Sequence, residues 1–132
     1  MSSGLTLAEA AIAINTTTEV VERLTAALPA LAPGDAGLSL RQVLGLRVLT
    51  ALHFLDAADA VPIADKAVAE ARAGGSRCMA VKWTGSARWT WTTDDVDAAR
   101  LAGPVLLLPV ERMLTDLALR CAEVRASLPR LN

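Results

Sequence analysis

Residues 39–59, SLRQVLGLRVLTALHFLDAAD, carry the reading that decides the fold. Wound at about 100° per residue, their apolar positions cover most of a helix circumference. Only Arg41, Gln42, Gly45, His53 and Asp56 form a narrow polar arc. A helix this apolar must be packed on several sides, so it is expected to be central. Arg47 breaks the pattern, falling in the middle of the main apolar arc of Leu40, Val43, Leu44, Val48, Ala51 and Leu55. A charge there needs a partner, a path to solvent or another molecule.

Upstream, helix starts are marked by capping boxes, in which two side chains satisfy each other's orphan amides. Thr6 with Glu9 opens a first helix over residues 5–15, and Asn15 stands where a left-handed turn residue is wanted. Thr16 with Glu19 is expected to open a second helix, with Val20, Val21, Leu24 and Leu28 on one face and Pro29 at its end. Pro33-Gly34-Asp35 lies in a loop, and Ser39 with Gln42 starts the central helix. Two short helices at a tight turn, a loop and a long apolar helix form the layout of a helix-turn-helix with a wing-like loop.

Downstream, Pro62 fits the first turn of a fourth helix that buries Ile63, Ala64, Ala67, Val68 and Ala71 and ends at Gly74-Gly75. Cys78 to Trp83 then alternates, Thr84 to Ala87 turns the chain, and Trp89 and Trp91 return on the same face of a hairpin. A short helix over 92–101 and a third strand over 105–108 follow. The last helix, from about Pro109 to Leu128, carries Val110, Leu114, Leu117, Cys121, Val124 and Leu128 at alternating spacings of four and three, with Met113 alongside. That is an a/d seam. It suits either an interface between two copies, shared with Trp83, Trp89 and Trp91, or packing against the hairpin. The expected fold is α+β and mainly α: a helical domain over 1–75, then a hairpin or three-strand element and terminal helix over 76–132.

The 132 residues are 53% hydrophobic and carry a net charge of −1, so the whole chain has no polyanion-binding signature. Residues 1–40 hold Arg23 against Glu9, Glu19, Glu22 and Asp35, a balance of −3. Cys78 and Cys121 do not make a disulfide framework, and no signal peptide precedes Leu5. No apolar run approaches the roughly 18 residues of a membrane span. A cytoplasmic protein with no membrane partner is expected.

Residues 6–24, TLAEAAIAINTTTEVVERL, resemble the first two helices of the MerR-like winged helix-turn-helix regulators. Leu7, Ala10, Ala11, Ala13 and Val21 supply the small or apolar positions, with Glu9 and Glu19 at the capping sites. The order of loop, Leu/Val-rich helix and fourth helix also looks like that family as far as residue 73. Three positions depart from its pattern. Asn15 stands for a glycine, Glu22-Arg23-Leu24 for an arginine followed by aromatics, and 32–38 has neither base nor aromatic. Asparagine is the best substitute for glycine in a left-handed turn, and the lost charges remove phosphate contacts.

The resemblance implies a homodimeric regulator that places its second helix in the major groove of double-stranded DNA. Thr16, Thr17, Thr18 and Arg23 would then face the groove, with Arg41 and Arg47 as backbone clamps on the same surface. For Arg47 a buried ion pair with Asp56, Asp59 or Glu70 is the competing expectation. The rival class is a protein-interaction module that kept the fold and lost the groove contacts, with another protein as its partner. A small-molecule sensor built on the tryptophans is a third.

His53 has no second histidine, and reads as a rim or core residue. Asp94, Asp95 and Asp97 read as a helix cap. No phosphate loop, dinucleotide pattern, nucleophile elbow or metal-ligand spacing is present. The expectation is therefore no catalytic residue, no metal, no cofactor and no enzyme activity.

Overall fold

The computed structural model describes residues 4–28, 31–34, 37–53, 55–72, 74–75, 77–82 and 105–127. It is mainly helical with one small sheet: α1 (Leu7–Ala13), α2 (Thr18–Ala27), α3 (Leu40–Ala51), α4 (Ala57–Glu70), β1 (Met79–Lys82), β2 (Val105–Leu108) and α5 (Val110–Ser127). The hairpin return through Trp89 and Trp91, the helix over 92–101 and the Asp94–Asp97 cap lie outside the described residues, as does Trp83.

Two of the three capping boxes form as written. Thr6 Oγ1 accepts from Glu9 N at 3.1 Å while Glu9 Oε1 accepts from Thr6 N at 2.8 Å. Ser39 and Gln42 reciprocate in the same way. The third is shifted: Thr17, not Thr16, caps α2, its hydroxyl accepting from Val20 N at 3.3 Å. The turn before it uses one more residue, because Asn15 takes φ +59° and Thr16 N donates back to Ala11 O.

In α3, Val43, Leu44, Gly45, Leu46, Val48 and Leu49 are buried around nearly the whole circumference, as expected of a central helix. The apolar run does not continue as one helix. Leu52 closes α3, Asp56 adopts an extended backbone, and α4 begins at Ala57. Pro62 is thus the sixth residue of α4 rather than part of its first turn. The helix tolerates it because Ala58 and Pro62 both face solvent, where the carbonyl that loses its partner can be hydrated. The corner lets α4 fold back on α3, burying Ala60, Ile63, Ala64, Ala67 and Ala71.

Strand β1 pairs antiparallel with β2, Met79 opposite Leu108 and Lys82 opposite Val105. The segment expected as a third strand is therefore the direct partner of the first, among the described residues. Immediately after β2, α5 packs against α1 and α3. Its stripe of Val110, Leu114, Leu117, Cys121 and Val124 joins the same core as Leu44, Leu46 and Val48. This corrects the expectation of an interface: those five side chains are covered within one chain and present no open seam to a second copy.

The loop between α2 and α3 is pinned to the start of the chain. Leu5 and Leu38 exchange both backbone hydrogen bonds at 2.8 Å, and Gly34 and Gly37 exchange theirs at 2.9 and 3.2 Å. Gly37 has φ +94°, and a Cβ there would lie 2.6 Å from Leu5 O, so only glycine allows this approach.

Candidate nucleic-acid interface

Helix α2 turns Val21 and Thr25 inward and leaves Thr18, Glu19, Glu22, Arg23, Ala26 and Ala27 exposed. Thr25 keeps its buried hydroxyl satisfied by donating to Val21 O, with Glu22 O also within reach. The exposed face is polar, and its start carries free helical amides beside the exposed Thr17 and Thr18. Thr17, Thr18 and Arg23 are all exposed on α2 and its cap, with the half-buried Thr16 before them, and Arg23 lies about 140° round the helix from Thr18.

The charge on that face does not favour a polyanion. Glu19 precedes Arg23 by one turn, the spacing at which opposite charges offset each other. Glu22 leaves the face one charge negative. The described part of the loop tip, Ala32, Pro33 and Gly34, adds no base.

The two clamp arginines lie on α3 and do not share one direction. Arg41 and Arg47 are six residues apart on α3, so they point about 120° away from each other. Arg41 donates from Nη1 to Val68 O, one of the last carbonyls of α4, and so acts as a C-terminal cap. Arg47 is half-buried in a cleft against α1 and α5. Neither Asp56, Asp59 nor Glu70 forms an ion pair with it among the described residues. The expected ion pair of Arg47 is thus corrected: its position on α3 turns it towards α1 and α5.

Beside α2 lies a feature the sequence did not announce. Two adjoining pockets of about 400 and 440 Å³ share Leu28, Leu49 and Val61 as a common wall. Together they form an apolar groove from Thr16 and His53 at one end to Arg41 and Asp65 at the other. His53 is exposed, its Nδ1 3.2 Å from Thr50 O. Among the described residues no group of acids, histidines and cysteines is placed to hold a metal ion.

Sequence reasoning also missed the most constrained polar group. Glu111, in the first turn of α5, is 1% exposed and holds three partners. It accepts from Arg72 N at 2.7 Å and Arg77 N at 2.9 Å, and pairs with the Arg77 guanidinium at 2.9 Å. The hydrogen bond from Arg77 outweighs the cost of burial and holds the carboxyl at about 2, below its usual 4.5. Arg77 also donates to Glu70 O. Thr115 Oγ1 accepts from Gly74 N at 3.1 Å, so one turn of α5 staples the segment between α4 and β1. The available signal was an acid one residue from Val110, at the edge of the apolar stripe. Cys121 is buried, and desolvation pushes its thiol up, away from reactive thiolate.

No family model matches the chain, and no curated protein or solved structure matches it. Among the described residues no helix is long and apolar enough to cross a membrane.

Proposed function

We propose that this chain is a small DNA-binding regulator of the MerR-like winged helix-turn-helix kind, with α2 as the helix that enters the major groove. The observation that carries the reading is the exposed polar start of α2, delivered by a tight turn at Asn15 and flanked by a loop anchored through Leu5 and Leu38. Helix amides and hydroxyls at such a start suit phosphate and base-edge contacts. Thr17, Thr18 and Arg23 are the contact residues. Arg41 and Arg47 are not assigned to this face.

An anisotropy titration against a random-sequence duplex library at two salt concentrations tests the proposal. Arg23→Ala should weaken binding to all sequences and lower the salt slope by about one phosphate's worth per subunit. Thr18→Ala should blunt discrimination between sequences instead. Glu22→Arg should tighten binding.

A second reading, a protein-interaction module of antitoxin, anti-repressor or phage-assembly adaptor type, is favoured by the net-negative face and the apolar groove beside it. Absence of any enriched sequence, with no gain from Glu22→Arg, selects this second reading over the first.

A further inference from the structure

Arg47 is the anomaly of α3. Its neighbours Leu46 and Val48 are fully buried, yet its own charged side chain is half-buried and forms no ion pair among the described residues. It opens onto a cleft of about 310 Å³ between α1, α3 and α5. Ala13, Met113 and Leu117 supply apolar lining; Asp116 and Arg120 supply charge. Arg120 is loosely committed, its contact with Glu123 being 4.0 Å long and largely exposed. Pairs of that kind contribute little.

Two guanidinium groups therefore share one concave, partly apolar site with a single carboxylate, which leaves a net charge of +1. A half-buried arginine that makes no direct ion pair with the one carboxylate of its cleft keeps its guanidinium fork open to an oxyanion. We propose that this cleft binds a small organic carboxylate. Its carboxyl group lies between Arg47 and Arg120, and its compact apolar part rests on the half-buried Met113, with the edges of Ala13 and Leu117 beneath. The net charge selects a monoanion over a phosphate monoester, which carries nearly two negative charges at neutral pH. Shape selects a small molecule over a nucleic-acid backbone, because Arg47 is recessed among three helices and does not project from a surface. The site stands apart from α2, so it does not depend on the DNA reading.

The test is thermal unfolding of the full chain with sodium benzoate, phenyl phosphate or sodium chloride at matched ionic strength. Benzoate should raise the transition temperature in a saturable way, and phenyl phosphate should need a higher concentration for the same rise. Arg47→Gln should shift the benzoate midpoint by roughly tenfold or more, the scale of one lost charge-assisted hydrogen bond. Arg120→Ala changes an exposed side chain and should give a comparable shift even if Arg47→Gln fails to fold. Arg23→Ala should leave the midpoint unchanged. No benefit of benzoate over chloride, equal midpoints in Arg120→Ala and wild type, or tighter binding of phenyl phosphate would each overturn the proposal. So would a loss of DNA affinity in Arg120→Ala without any benzoate effect, which assigns the cleft to a phosphodiester backbone.

Discussion

Glu111 sits in the core with its partners drawn from the short segment between α4 and β1, and Gly75 is what lets that segment approach. A Cβ at Gly75 would lie 2.2 Å from Glu111 Oε1. Replacing Glu111 by alanine orphans the amides of Arg72 and Arg77 and removes the carboxylate that the part-buried Arg77 guanidinium faces. The expected loss is on the order of 3 kcal/mol in urea denaturation at neutral pH. Because folding lowers the carboxyl from 4.5 to about 2, its stabilisation is complete above pH 4.5 and is lost as the pH falls towards 2. The stability gap between wild type and Glu111→Gln should accordingly narrow between pH 5 and pH 3. A gap that stays constant over that range contradicts the assignment. Asn15 was legible from sequence because few residues accept φ +59°. Glu111 was not, because its partners lie 34 and 39 residues away.

At the scale of elements, local spacing was enough for two of the three helix starts, where both partners lie within one turn. Thr6 with Glu9 and Ser39 with Gln42 form as read. The start of α2 differs by one residue because the preceding turn extends to Thr16, and no spacing rule separates Thr16 from Thr17. Thr17→Ala should cost about 1 kcal/mol and Thr16→Ala much less, measured by chemical denaturation. Reversed losses would restore Thr16 as the cap. The corner between α3 and α4 was hidden because the apolar pattern runs on through Leu52 and Leu55, while Pro62 pointed to a later start. The pairing of β1 with β2 joins segments more than twenty residues apart, which alternation within either strand cannot reveal. For the candidate interface, Thr18 and Arg23 lie on α2, with Thr17 as its cap and Thr16 in the turn before it. Arg41 and Arg47 were read by charge, without the roughly 120° between their directions on α3.

Across the whole molecule, the stripe of α5 was visible as a period but not as a destination. Its spacing suits a second copy and this chain's own core equally, and only the fold decides. Leu117 is buried against the chain itself, so Leu117→Asp should unfold the monomer, at a cost on the order of 4–5 kcal/mol, without producing folded, dissociated subunits. Leu119, two residues on and 65% exposed, should accept the same change with little effect. Circular dichroism of the two variants separates these outcomes. Folded Leu117→Asp protein would mean that the stripe is not core.

The hydrogen bond from Arg125 to Gly4 O ties the last described helix to the start of the chain, 121 residues away. Its consequence belongs to synthesis. While the ribosome is still making β2, α1 can pair with α2 and α3 with α4, but the surface of α1 and α3 that α5 will cover lacks that helix. The N-terminal half therefore emerges with its central helix open on one side and waits for a segment translated later. Over that interval the chain is exposed to chaperones and to other nascent copies. The core is complete only once α5 has been translated and has docked on α1 and α3.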